Sequence, residues 1–146
     1  MIKIIHGHDG TLNKILGDGL LIFFNDPIPM EDHVERAVRM GIDMQRKVKD
    51  LRDKWVQFGH VLQIGIGINT GFVTVGNIGS DIHRDYTVIG NQVNVAARLE
   101  SAAKAGQILI SQRTYSHIRD LFEVEELGEI IVKGIHSPVK IYNVLW

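Results

Sequence analysis

Cysteine is absent from all 146 residues. That excludes a disulfide framework and thiolate-held metals, and it suits a reducing cytoplasm. Long apolar runs are also missing. Stretches such as Leu20 to Phe24 are far too short to cross a bilayer, and no charged-then-apolar signal segment opens the chain. Attachment to a membrane would have to come from segments outside this sequence. An excess of one charge is lacking as well. Lys and Arg number 16 against 17 Asp and Glu, a formal net charge of -1, so nothing draws nucleic acid or an anionic membrane. No repeat, low-complexity tract or linker divides residues 1–146. What is present, 45% hydrophobic and 23% charged residues, is the composition of a single soluble domain with a real core.

Periodicity supplies the elements. Met1 to His8 holds only a short apolar run, broken by Gly7 and Gly10, and reads as the last turn of something longer. Leu12 to Leu16 and Leu20 to Phe24 are short apolar runs joined by Gly17-Asp18-Gly19, a hairpin signal, because Asp and Gly accept the positive φ of a tight turn. Pro27 and Pro29 mark a loop. Glu31 to Phe58 carries a helical stripe through Val34, Val38, Ile42, Gln45 and Val48, with Glu31 and Asp32 suited to its positive end. Val61 to Asn69 alternates around Ile64, Ile66 and Ile68 as a strand, and Phe72 to Val75 is expected to return beside it after Thr70-Gly71. Asn77 to Asp85, polar and glycine-containing, reads as a loop or an arm. Gln92 to Ala103 is a helix ended by Gly106, with Val93, Ala96 and Ala97 as its packing side. A short strand (Ile108 to Ile110), a short helix (Gln112 to Arg119) and closing strands (Phe122 to Val132, Val139 to Leu145) complete the chain. The order implies an α+β sandwich with helices on one face of a largely antiparallel sheet.

Three groups of residues carry candidate chemistry. Asp18 at a hairpin tip is held on rigid strands, and Mg²⁺ favours one or two such carboxylates plus substrate phosphates. On local sequence alone an ordinary turn Asp is the simpler reading. Asn94 and Arg98, four apart on a helix, share a face, where an amide and a guanidinium can grip a sugar and a phosphate; a plain solvated face is the alternative. His6, His8 and Asp9 have the donor types of a metal site, but polar exposed sequence explains them more simply. The glycines of Gly65-Ile-Gly-Ile-Asn-Thr-Gly71 do not make a dinucleotide loop, because they lie in a strand and its turn with no helix following.

The order of these segments resembles one family. Asn13-Lys-Ile-Leu-Gly-Asp-Gly19 with its apolar strand, the Gly65 to Gly71 run, Tyr86-Thr-Val-Ile-Gly-Asn-Gln-Val-Asn-Val-Ala-Ala-Arg-Leu-Glu100, and Leu127-Gly-Glu129 through Val132-Lys-Gly-Ile135 to Pro138-Val139 are similar to four successive segments of the class III nucleotidyl cyclase catalytic domain. The resemblance runs from end to end. It implies a ferredoxin-like sandwich of the nucleotidyl cyclase type, with a central, mostly antiparallel sheet. It also implies a reaction in which the ribose 3′ hydroxyl attacks the α-phosphate of a nucleoside triphosphate with the help of two metal ions, Mg²⁺ or Mn²⁺. By the same resemblance Asp18 holds metal, Asn94 orients the ribose, Arg98 stabilises charge at the α-phosphate, Lys133 contacts the outer phosphates, and Lys14 with Thr87 reads the base. Lys14 can donate to a ring nitrogen of adenine and Thr87 can accept from its amino group. Guanylate cyclases of the family place Glu and Cys there, so ATP is the implied substrate. The Lys and Thr pair resembles a bacterial subgroup often described as bicarbonate-responsive. The family's sites form between two domains arranged head to tail, which implies a two-fold homodimer.

One departure stands out. The family's first strand bears a second metal-binding Asp, and this chain starts near the end of the helix that follows. The expectation is that Met1 is an internal methionine, that the first strand is missing and that an upstream regulatory domain belongs to the full-length protein. Phe72 stands where some cyclase halves carry a phosphate-binding Arg. The competing reading is a catalytically silent cyclase-homology module that binds nucleotide or a partner; a guanylate cyclase is disfavoured by Lys14 and Thr87.

Overall fold

The computed structural model of the chain describes residues 1–16, 19–26, 28–55, 59, 63–79 and 84–146. Gly17, Asp18, Pro27, Val61 and Leu62, residues 56–58 at the end of the expected long helix and residues 80–83 in the middle of the expected loop or arm lie outside them. A short helix α1 (Ile2–Gly7) leads into strands β1 (Thr11–Leu16) and β2 (Gly19–Phe23), which pair antiparallel up to Leu16 opposite Gly19. Helix α2 (His33–Trp55) follows, two residues later than Glu31. The Asp32 carbonyl accepts from the Arg36 amide at 3.0 Å, so Glu31 and Asp32 stand before the first turn. Then come β3 (Ile66–Ile68), β4 (Thr74–Gly79), β5 (Arg84–Ile89), α3 (Asn91–Ala102), β6 (Ile108–Ser111), α4 (Gln112–Ile118), β7 (Val124–Ile130) and β8 (Val139–Val144).

The main sheet has the order β3-β6-β8-β7, parallel between β3 and β6 and antiparallel elsewhere. The α+β class and the mostly antiparallel pairing hold, but two local expectations do not. First, β3 does not fold back on residues 72–75. It pairs in parallel with β6 over Ile66–Ile68 only, while β4 pairs with β5. Strand pairing is decided by contacts distant in sequence, which a local turn signal cannot report. Of the loop and the arm expected over 77–85, the described residues favour the arm: 77–79 and 84–85 belong to the antiparallel ribbon of β4 and β5. Second, the helices occupy both faces of the main sheet. Ile108 and Ile110 of β6, with Tyr142 and Val144 of β8, face Val34, Val38 and Ile42 of α2 and Ile118 of α4. Leu109 and Ile141, pointing the other way, face Val95 and Leu99 of α3. Strand β6 is therefore buried on both sides, which explains its unbroken apolar run.

Glycine sets how close α3 can come. A Cβ on Gly67 would stand 2.3 Å from the Glu100 amide nitrogen and 2.6 Å from the Ala96 carbonyl oxygen. The glycines of this run serve helix-on-strand contact and not a phosphate loop. Under the β1–β2 ribbon, Ile5 of α1 and Met40 and Met44 of α2 form a further core with Leu12, Ile22 and Phe24.

Candidate active site

Helix α3 presents the central pair. Asn94 and Arg98 are exposed one turn apart, and within the described residues neither side chain has a hydrogen-bond or ion-pair partner. The packing side is Val95 and Leu99, not Val93, Ala96 and Ala97: Ala97 is exposed. The stripe set by Val95, Leu99 and Ala102 still leaves Asn94 and Arg98 on a free flank.

Lys14 reaches solvent through a β-bulge. Leu12 lies opposite Ile22 and Lys14 opposite Leu21, so Asn13 is an extra residue in β1. Simple alternation would put Lys14 on the core side with Leu12; the bulge reverses the alternation and turns it outward. Thr87 lies in β5 opposite Gly76, and β5 runs against β1, so the structure brings the strands of Lys14 and Thr87 together. Lys133 is exposed in the turn after β7, where the Ile135 amide donates to the Val132 carbonyl at 3.1 Å. Val132 and Ile135 on either side pack into the core under α3. Asp18 lies outside the described residues; Leu16 and Gly19, which flank the connection that contains it, are paired.

The histidine cluster is structural. His8 Nε2 is 2.7 Å from Asp43 Oδ2, and Asp9 pairs with Arg36. Among the described residues no group of three or more acidic or histidine side chains is placed to hold a metal. The shifted titrations also lie away from α3. The Arg36 guanidinium, bonded to Asp32 at 2.8 Å, holds that carboxyl below its usual range and is itself raised. Among the described residues no helix is long and apolar enough to cross a membrane.

The sequence model of the adenylate and guanylate cyclase catalytic domain matches residues 1–145. The chain belongs to this family. The solved structure of the adenylyl cyclase CyaB from P. aeruginosa is similar at a TM-score of 0.91 and 45% identity, over 99% of this chain and 76% of that one. The guanylyl cyclase Cya2 is similar at a TM-score of 0.90 and 39% identity, over 98% of this chain and 73% of that one. An adenylate cyclase of Mycobacterium bovis (strain ATCC BAA-935 / AF2122/97) is 34% identical over 132 residues, 90% of this chain; the match spans 29% of that relative's length.

Within the cyclase domain one residue escaped the reading of the sequence. Asn91, three before Asn94 and seven before Arg98, lies on the same exposed face of α3. Its Nδ2 donates to the Gly134 carbonyl at 3.4 Å, which ties the turn bearing Lys133 to the helix bearing Asn94 and Arg98. The i, i+3, i+7 spacing was a signal available in the sequence. A cavity of about 600 Å³ adjoins the cyclase domain's helix on a different side, where Gln92 and Val95 line it and Asn94 and Arg98 do not.

Proposed function

We propose that this cyclase domain converts ATP to cyclic AMP and pyrophosphate for intracellular signalling. The observation that carries the reading is the free face of α3. Among the described residues Asn94 and Arg98 stand there without partners, and Asn91 tethers the Lys133 turn to the same face. An amide for the ribose, a guanidinium for the α-phosphate and an ammonium for the outer phosphates are the donors that a triphosphate undergoing cyclisation needs. The 3′ oxygen bonds to the α-phosphorus, the bond from that phosphorus to the bridging oxygen breaks, and pyrophosphate leaves with its electron pair. Arg98 holds the charge that builds on the α-phosphate oxygens. Asn94 keeps the 3′ hydroxyl in line, and positioning of this kind accounts for much of the acceleration.

The donor set suits a hard divalent cation only in part. Asp18 would supply a carboxylate oxygen at a connection whose flanking residues are paired, with phosphate oxygens completing the shell. When bound, such ions neutralise the phosphates and favour loss of the hydroxyl proton. Base preference rests on Lys14 and Thr87, since an adenylyl and a guanylyl cyclase resemble this fold almost equally. Exposed apolar side chains support assembly as a homodimer. Ile15 lies opposite Leu20 near the β1–β2 connection, and Phe72, 97% exposed, adjoins Val73 and Ile89 at the base of the β4–β5 ribbon. The reading places the domain in the cytoplasm, where ATP is available.

The test incubates the chain, and a version extended upstream, with ATP or GTP and Mg²⁺ or Mn²⁺. Cyclic AMP is expected, with activity per milligram falling on dilution. Arg98→Ala and Asn94→Ala are expected to lower the rate on the order of 10²-fold or more. No cyclic nucleotide from the extended chain would leave a silent nucleotide-binding module, and preference for GTP would overturn the roles given to Lys14 and Thr87.

A further inference from the structure

The catalytic helix begins without a side-chain cap: Gly90 occupies the N-cap of α3 and offers no oxygen to the first turn. Apolar packing by Val95 and Leu99 sets its depth on the sheet, but such contacts are non-directional and do little to fix its rotation. A polar cluster that the chemistry above does not use meets this end of the helix. Asn69, just past β3, donates from Nδ2 to both the main-chain oxygen and Oε1 of Gln92, each at 2.9 Å. Its Oδ1 accepts from Ser111 Oγ at 2.7 Å. A main-chain carbonyl can only accept, which fixes the orientation of the amide. Ser111 is in turn the N-cap of α4, accepting from the Thr114 amide at 3.3 Å, and Thr114 Oγ1 lies 2.9 Å from Thr70 Oγ1. Ser111 and Thr114 are buried and anchor the network, while Asn69 and Gln92 are half-buried and line the cavity beside α3. Gln92 is also backed by bare main chain, since a Cβ on Gly71 would stand 2.5 Å from its Cγ.

We propose that Asn69 is a positioning residue of the cyclase site: it clamps the first turn of α3 to the end of β3 and the cap of α4, and so sets the angle at which Asn94 and Arg98 meet the triphosphate. Asparagine suits the task because one short side chain donates to α3 and accepts from Ser111 at once. The inference rests on the cyclase reading for its catalytic consequence. Asn94 is two residues beyond the clamped Gln92 and Arg98 one turn further, so a small rotation at the first turn is carried to both. A displacement of about 1 Å at reacting groups can cost on the order of 10² in rate.

The test compares Asn69→Ala, Asn69→Asp, Gln92→Ala and the double variant Asn69→Ala/Gln92→Ala in the protein that is active in the cyclase assay. Asn69→Asp keeps the acceptor for Ser111 and loses donation to Gln92. Both Asn69 variants are expected to lower kcat by roughly tenfold or more with KM for ATP changed far less, and the double variant to fall short of the product of the single losses. Val48→Ala, in the core of α2 away from this network, is the control: it lowers Tm but leaves the kcat of the folded protein unchanged. Hydrogen exchange supplies a readout apart from turnover, with amides of the first turn of α3 exchanging faster in Asn69→Ala while those of α2 do not. A wild-type kcat in folded Asn69→Ala, or an equal loss in Val48→Ala, overturns the proposal. If wild type makes no cyclic nucleotide, the cyclase reading falls on its own account; unchanged exchange in α3 then overturns the clamp.

Discussion

Gly67 and Gly41 differ in what stands over them, and the difference sets opposite outcomes for the same substitution. A methyl at Gly67 meets the backbone of α3 at 2.3 and 2.6 Å, where nothing flexible can yield. Gly67→Ala is therefore expected to push α3 off the sheet, cost at least about 1–3 kcal/mol and lower cyclase activity with it. Gly41 lies inside α2, and its nearest neighbours would be Ile68 Cδ1 at 3.5 Å and Ile108 Cγ2 at 3.6 Å, an ordinary contact. Gly41→Ala should stabilise by roughly 0.5–1 kcal/mol, because alanine loses less entropy in a helix. Urea midpoints of the two variants check both signs. Base choice belongs to the same scale. Lys14 carries only donors, so it matches a ring-nitrogen acceptor of adenine and meets no acceptor need of guanine's donor edge. Lys14→Glu combined with Thr87→Cys should raise the ratio of GTP to ATP turnover by tenfold or more, about 1.4 kcal/mol of discrimination. Parallel assays with the two triphosphates decide it, and an unchanged ratio removes both residues from base recognition.

The elements were legible to the extent that burial imposed a period on them. Helix α2 buries Val34, Val38, Ile42, Gln45 and Val48, and its stripe is plain in the sequence; β6 is buried on both faces and reads as a solid apolar run. Among the described residues the β4–β5 ribbon is a two-stranded sheet of its own, so no alternation announces it and its polar, glycine-containing stretch reads as a loop or an arm. The partner of β3 is β6, forty-two residues on by the match of Ile66 to Ile108, and only the packed chain selects it. For the site, Asn94 and Arg98 were legible as one helical face. The tether from Asn91 to Gly134 depends on a contact between segments far apart in the sequence, and the bulge that turns Lys14 outward is a shift of register that alternation along β1 alone does not announce. The start of α2 carries a pH dependence of its own. Arg36 bonds Asp32 and keeps its carboxyl below the usual value of 3.8. A lowered folded value means the unfolded chain binds more protons in that range, so this contribution is complete above about 3.8 and is lost as pH falls through the lowered value. The pair is open to solvent, so salt should weaken it. An NMR titration of the Asp32 carboxyl is expected to give a midpoint below 3.8 that rises toward 3.8 in high salt, and Asp32→Asn should remove the response from the amides of α2's first turn.

At the scale of the whole molecule, the donors on α3 and the carboxylate near the β1–β2 connection need not serve the same substrate. In the head-to-tail dimer that the family resemblance implies, each site takes Asp18 from one protomer and Asn94, Arg98, Lys133, Lys14 and Thr87 from the other. The exposed Ile15, Leu20, Phe72, Val73 and Ile89 supply apolar area for such an interface. This arrangement has an arithmetic consequence. Asp18→Ala and Arg98→Ala homodimers each lack one half of every site and are expected to be nearly inactive. Mixed in equal amounts and allowed to exchange subunits, half the dimers become heterodimers. Each heterodimer gathers both lesions into one site and leaves the other intact, so the mixture should recover about a quarter of wild-type activity. Recovery should grow with protein concentration as the dimer fills. If every site were built within one protomer, no intact site would form on mixing, and activity would stay at the level of the separate variants.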